Sequence, residues 1–447
     1  MGDIPKLRKV MSKDVHSEKL KRVVHMLVND DDDDDSTQNI SFIGIKAMGG
    51  QGKTIVLSRV ARNPDVLDHF SQGVVWINVG RKVESTTPLL SQIARAMKMK
   101  LSKEDEKDRD RAIADQLRGI KEGSKLLLLL DNVWGHSVAA VQELLDFCPE
   151  NVRYVLTTRE ASVVEALESE SINLSELSLE KAVNMLREQC GVKVVLEDQV
   201  AKELAELCVC HPLALDHVST QLVLKCGKNK CVPRDVLKAL RKKINMSQRF
   251  KSVGKRSVVA CLAMSFESLE EEELRHLALS LSLFPPEKDI PLGALQRACG
   301  FQDRSATRMA VAELEERSIV SEMVVHGADQ VVVVSVHGLM HEVLEMERKT
   351  KRSLEEEKRG ESESDQVVAS ALQYFKAYHL VTSDGDHDAL KRAMELYREE
   401  LSDEEEIVLV AVKQNGAALK FCSERLRGEE KMVRAAMESL RNRRKFM

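Results

Sequence analysis

The sequence predicts an α/β fold, a parallel sheet with helices on both faces, followed by an all-α helical subdomain, a winged-helix subdomain and a charged helical tail. Three observations carry this. Between residues 40 and 174 the short apolar runs ISFIGI, GVVWINV, KLLLLLD, VRYVLTT and INL alternate with stretches long enough for crossover helices, the pattern of parallel strands covered by helices. From 178 to about 243 the apolar period turns helical, with no strand candidate. Further on, CLAMSFESLEEEELRHLALSLSLF, PLGALQRACG and RSATRMAVAELEERS read as helices and lead into the β-rich runs IVSEMVV and VVVVSV around a turn at 326–329. Helices followed by a hairpin suggest a winged helix.

A chain of 447 residues exceeds what one compact core usually supports. The expected modules are 1–36, an N-terminal helix and acidic linker; 37–175, the α/β domain; 176–245, helical; 246–345, winged helix; and 346–447, the tail. Hydrophobic residues at 43% and charged ones at 31% can bury cores under a solvated surface. Lys and Arg total 67 against 72 for Asp and Glu, a net charge of −5, which argues against broad attraction to nucleic acid or anionic membrane. The start MGDIPKLRKVMSKD lacks the apolar core of a secretory signal, and no apolar run could cross a bilayer. A cytoplasmic location is expected.

SEKLKRVVHMLVN reads as an amphipathic helix with Leu20, Val23, Val24 and Leu27 on one face, and it runs into Asp30 to Asp35, read as a solvated linker. The nine cysteines are scattered. The pairs Cys208/Cys210 and Cys226/Cys231 join no second pair at metal-ligand spacing, so they read as reduced thiols. In the tail, EEEIVLVAV at 404–412 and EEKMVRAAM at 429–437 repeat after 25 residues, which suggests helical repeats; EEEKRGESESD at 355–365 reads as a flexible joint.

The segment ISFIGIKAMGGQGKT places a β-run, a glycine-rich turn, and Lys53-Thr54 opening a helix. That is the setting of a phosphate-binding loop, formed here by Gly49, Gly50, Gln51, Gly52, Lys53, Thr54 and Ile55. Glycines let successive backbone N–H groups form an anion nest, the helix start adds its positive end, Lys53 neutralises β/γ-phosphate charge, and Thr54 ligates Mg²⁺. Ala47 stands where the strict pattern has its first glycine; a left-handed conformation there would cost alanine about 1–2 kcal/mol. The strand KLLLLLDNVW delivers Asp131 to the carboxyl edge of the sheet, to hold Mg²⁺ through its water shell. Asn132 stands where a second carboxylate could polarise an attacking water, and an amide cannot take that proton. VRYVLTTRE ends in Arg159, able to reach a γ-phosphate.

With these pieces in order, the chain resembles the NB-ARC family, the STAND P-loop NTPase core of plant disease-resistance (NLR-like) receptors and of the apoptotic protease-activating factor, over residues 15–345. AMGGQGKT is similar to its GMGGxGKT, LLLLLDNVW to LLVLDDVW, VLTTRE to its sensor strand, LCVCHPLALDHV to C-x-GLPLAL, and MSFESL and LSLFPPEKDI to its winged-helix signatures. VSVHGLMHEVL sits where the family carries Met-His-Asp. The resemblance implies a switch holding ADP when closed and ATP with Mg²⁺ when open, with slow or absent hydrolysis, a role in signalling or defence, and self-association when active. It places Pro212 against the adenine, gives Arg159 a sensor role and puts His337 on the β-phosphate of ADP. Departures are Ala47, Ile55, Asn132, Cys210, His211 and Gly338. The tail from about 401 resembles a short helical repeat with a central Asn-Gly found in algae and protists.

Three alternatives stay open from the sequence. A working ATPase of another class would need a catalytic base. A DNA-reading winged helix would need a cationic recognition helix, but Glu313, Glu315 and Glu316 accompany Arg304, Arg308 and Arg317. A degenerate scaffold would hold no nucleotide.

Overall fold

The computed structural model describes residues 4, 15–29, 42–80, 83, 85–99, 108–120, 124–149, 151–227, 231–246, 253–286, 288–301, 303–320, 322–326, 331–356, 371–376, 378–379, 405–414 and 416–444. The aspartate run, the 326–329 turn beyond His326 and the 355–365 joint beyond Glu356 lie outside them. The chain divides into two compact units, Met1–Val258 and Val259–Met447.

The first unit is built on five strands, β1 (Phe42–Lys46), β2 (Gly73–Asn78), β3 (Leu126–Val133), β4 (Val152–Thr158) and β5 (Glu170–Asn173), in the order β2-β3-β4-β1-β5. Every neighbouring pair is parallel. A central parallel strand is buried on both faces and therefore reads as an unbroken apolar run. Leu126 to Leu130 of β3 are all fully buried, and each such leucine contributes roughly 1.5–3 kcal/mol of burial.

Alternate strand residues point to opposite faces, giving two cores. Ile43, Ile45, Leu127 and Leu129 meet α1 (Ser17–Val28), α2 (Lys53–Val60) and α3 (Pro64–His69) on one face. Leu126, Leu128 and Leu130 meet α4 (Thr87–Ala96), α5 (Arg109–Arg118), α6 (Val138–Asp146) and α7 (Ala161–Ala166) on the other. Thus β1 feeds a helix on one face while its neighbour β4 feeds a helix on the opposite face. Their carboxyl ends diverge there, and this switch point is where sheets of this kind hold ligands.

The unit continues through α8 (Leu179–Cys190), α9 (Asp198–Leu207), α10 (Pro212–Cys226) and α11 (Pro233–Met246), with no strand. Ser178 caps α8 by accepting the Lys181 amide at 3.3 Å, and Pro212 opens α10 where its missing N–H costs nothing. Helix α12 (Val253–Glu267) crosses the division between the units.

In the second unit α13 (Glu272–Leu281), β6 (Ile290–Pro291), α14 (Leu292–Cys299), α15 (Arg304–Glu316), β7 (Glu322–His326) and β8 (Val331–Ser335) follow one another, with the antiparallel sheet ordered β6-β8-β7. Helix, strand, two helices and a hairpin is the element order of a winged helix. Two readings change. The two-residue β6 is too short to leave a period, and β7 begins at Glu322, not at Ile319. The Ile319 and Val320 amides both donate to the Leu314 carbonyl, at 2.9 and 3.3 Å, so they finish α15 after the left-handed Ser318 (φ 61°). Arg317 is tied to Glu313 at 2.6 Å and to the Ser268 carbonyl at 3.0 Å.

Helix α16 (Gly338–Glu356) follows. Residues 371–376 and 378–379 pack back on this unit: His379 Nε2 donates to the Asp289 carbonyl at 2.8 Å, and the Phe375 and Phe284 ring centroids are 5.2 Å apart. The repeated tail segments fall on α17 (Glu405–Gln414) and α19 (Glu430–Arg444), flanking a 3-10 turn and the short α18 (Glu424–Arg427). Val408, Leu409, Ala411, Val412, Met432, Ala435 and Ala436 are buried there. Among the described residues no helix is long and apolar enough to cross a membrane, and no group of three or more His, Cys, Asp or Glu could hold a metal ion.

Candidate phosphate site

The loop from Ala47 to Gly52 leaves β1 at the switch point. Its Ala47 amide donates to the Thr158 carbonyl at 3.2 Å, tying it to the end of β4. Ala47 is not left-handed, so alanine carries no conformational cost there. The left-handed positions are Gly50 (φ 78°) and Gly52 (φ 90°), where only glycine is unstrained. Lys53 at the first turn of α2 curls over the loop, its Nζ donating to the Ala47 and Met48 carbonyls at 2.8 and 2.9 Å. Ile55 is half-buried one turn in.

Asp131 is the hub of the strand ends. Thr54 Oγ1 lies 3.2 and 3.1 Å from its two oxygens, and Thr157 of β4 donates to Oδ1 at 2.5 Å. A nearly buried carboxylate is thereby satisfied by two hydroxyls. Asn132 follows in the left-handed region (φ 64°), at the register shift between Leu130 and Val133. Asparagine tolerates that conformation better than most residues. Its amide N–H donates to Thr157 Oγ1 at 2.8 Å, and its side-chain oxygen accepts the Trp134 indole N–H at 3.0 Å. The Arg159 guanidinium lies over the Trp134 ring, 5.4 Å from its centroid.

Two segments that the sequence did not mark as loop partners hold it at two carbonyls. The His16 imidazole, before α1, donates from Nε2 to the Gln51 carbonyl at 2.8 Å. His211, before α10, donates from Nε2 to the Gly49 carbonyl at 3.0 Å. Burial pushes the pKa of both histidines down. A Cβ on Gly50 would lie 2.6 Å from His211 Cε1 and 3.0 Å from Leu213 Cβ, so bare glycine lets α10 approach. Pro212, between His211 and Leu213 in sequence, is buried. Gln51 Oε1 and His211 Nδ1 are buried without hydrogen-bond partners. Cys210, at the family's glycine position, is left-handed (φ 49°), as is Val209 (φ 53°). In the sequence His211 stood out only as a departure, because a hydrogen bond across 162 residues leaves no local period.

The structure therefore joins the loop with Thr54, Asp131 and Thr157, and the Asp131 strand end with Asn132, Trp134 and Arg159. His337 belongs to the second unit, where its Nδ1 accepts the Leu339 amide at 3.2 Å at the start of α16.

Amides on left-handed glycines, a cation over the loop, and a hydroxyl paired with a strand-end carboxylate make the donor set of a P-loop, which suits a nucleoside phosphate with Mg²⁺. The fold is that of the P-loop NTPases. Comparison narrows the class: the NB-ARC domain family matches residues 10–196, and a domain of unknown function (DUF4116) matches 398–442. Over residues 10–196 the chain is thus similar to NB-ARC domains. It is 24% identical over 326 residues to disease resistance protein RPP13 of Arabidopsis thaliana, covering 68% of this chain and 38% of that one. Disease resistance protein RFL1 of the same plant is 23% identical, with 67% and 34% covered. The chain spans about a third of the length of such relatives. A STAND protein with a tetratricopeptide repeat sensor from Pyrococcus horikoshii shares the fold, with TM-score 0.52, 15% identity, and 99% of this chain and 59% of that one covered.

Proposed function

We propose that this protein is an ADP/ATP switch in intracellular defence signalling, resting with ADP and activated by ATP with Mg²⁺, with hydrolysis slow or absent. The observation that carries it is the Thr54–Asp131–Thr157 constellation beside a glycine loop under Lys53. Mg²⁺, when bound, screens the phosphate charge. Thr54 and Asp131 would hold it, the Gly50 and Gly52 amides and Lys53 would bind phosphate oxygens, and Pro212 would border the base. The same geometry accounts for poor turnover: Asn132 is an amide, and its oxygen already accepts the Trp134 indole. The names of the Arabidopsis relatives motivate the defence role, and self-association of the ATP form follows the same likeness.

The two nucleotides switch states only if their affinities differ between the states. The test is to purify the chain without added nucleotide, denature it and identify what is released by ion-pair chromatography. Stoichiometric ADP supports the resting-state reading. An empty protein that neither ADP nor ATP stabilises against heat would overturn it in favour of a scaffold.

A further inference from the structure

A planar trans peptide points its C=O and the following N–H in opposite directions. Whatever fixes a loop carbonyl therefore also aims the next amide. In this loop the Gly49 carbonyl is held by His211 at 3.0 Å and the Gln51 carbonyl by His16 at 2.8 Å. The amides thereby aimed away from the two imidazoles belong to Gly50 and Gly52, the two left-handed glycines. Left alone, glycine has the most conformational freedom of any residue, so an anion nest built on it loses the most entropy on ordering.

Both histidines are fixed themselves. His211 is 5% and His16 8% exposed. His16 holds a left-handed backbone (φ 55°), a conformation that persists only where the surroundings impose it, and Arg59 anchors the preceding Val15 carbonyl at 2.9 Å. A carbonyl can only accept, so each Nε2 carries the proton and each imidazole is a donor in its neutral form.

We propose that His16 and His211 are positioning residues for the phosphates, a two-point imidazole brace that presets the Gly50 and Gly52 amides for an anionic ligand. The proposal rests on the nucleotide-binding reading of the same loop and adds the residues that set its affinity. His211 touches no phosphate; it acts through the Gly49 peptide.

The experiment is calorimetric titration of the full-length protein with ADP, inorganic pyrophosphate and adenosine, comparing wild type with His211→Leu, His211→Gln and His16→Gly. Glutamine keeps an N–H near the Nε2 position, whereas leucine removes it. His16→Gly removes the donor at a left-handed position without backbone strain. ADP and pyrophosphate affinities are expected to fall about tenfold in His211→Leu and in His16→Gly, the scale of one hydrogen bond. Adenosine affinity stays unchanged, and His211→Gln stays within about threefold of wild type for all three ligands. Equal ADP binding by wild type, His211→Leu and His16→Gly would overturn the brace. So would a His211→Gln defect as large as the leucine one, which would make His211 a packing residue. A wild type that binds neither ADP nor pyrophosphate fails the nucleotide-binding reading itself, and the brace falls with it.

Discussion

At the scale of single residues the site is a set of hydrogen-bonded polar groups arranged around bare backbone, with Gln51 Oε1 and His211 Nδ1 buried and unpartnered. Lys53 donates to the Ala47 and Met48 carbonyls, bonds that a phosphate would replace under the proposed function. Ligand at about a hundred times its Kd stabilises a folded protein by roughly 2.7 kcal/mol. Wild type is therefore expected to gain several degrees of Tm with saturating ADP, and Lys53→Ala to gain almost nothing, as thermal melts will show. Gly50 is tested by contrast with Gly73. Both are left-handed, at φ 78° and 98°, but a Cβ on Gly73 meets nothing within 4 Å while one on Gly50 meets His211 and Leu213. Gly73→Ala should cost about 1–2 kcal/mol of strain, and Gly50→Ala should cost more, the excess in urea denaturation reading the packing of α10 on the loop. Much of the placement of this site was legible in sequence, because Lys53, Thr54 and Asp131 are marked by their spacing from a glycine turn and a leucine strand and do meet at the loop. What stayed hidden was conformational. That Ala47 is unstrained, that Asn132 sits left-handed at a register shift, and that two histidines hold the loop are facts of backbone angle and distant contact.

At the scale of elements, strands and helices followed the apolar period wherever the run was long. The five leucines of β3 and the alternating units around them are enough to predict the parallel sheet. The failures came where a short apolar run serves a different purpose, as with Ile319 and Val320, whose amides close α15, and with β6, which is two residues long. The corner between α10 and α11 was read as two reduced thiols, and its geometry carries a prediction. The sulfurs of Cys226 and Cys231 are 3.1 Å apart, so about 1 Å of movement reaches a disulfide. Cys226 is buried and Cys231 half-buried, so Cys231 is the sulfur that peroxide meets first; burial, then the neighbouring thiol, pushes Cys226 up to about 12. Treating the protein with hydrogen peroxide should couple the two thiols, their two protons and two electrons reducing the peroxide to water. Intact mass should drop by two hydrogens, and peptide mapping should join Cys226 to Cys231. The Cys231→Ser variant should lose that bridge. Recovery of both cysteines as free thiols in wild type, under conditions that oxidise the exposed methionines, would rule the bridge out.

At the scale of the whole molecule, the two buried imidazoles make stability depend on pH in a definite direction. His16 and His211 both have pKa values below the ordinary 6.5, chiefly through burial. Around His211, Lys53 opposes protonation and Glu176 favours it; around His16, Lys181, Arg59 and Lys19 all oppose it. The unfolded chain takes up these protons near pH 6.5 while the folded chain resists, so the unfolded state binds more protons and stability rises with pH. The contribution is complete above pH 6.5 and is lost as pH falls from there towards the depressed folded values. The lowered carboxylates act in the same direction but start from the ordinary 4.5, as at Glu18 and Glu345, so they leave the window between 6.5 and 5 to the histidines. Both tryptophans, Trp76 and Trp134, lie in the first unit, so their fluorescence follows the unit that holds the loop. The urea midpoint read this way should drop between pH 7.5 and 5.5 in wild type. In a His16→Asn/His211→Gln double variant, which keeps an N–H donor on each side and removes the titration, the slope should flatten. An equal slope in both proteins would place the pH sensitivity elsewhere and show that the buried imidazoles open freely to solvent.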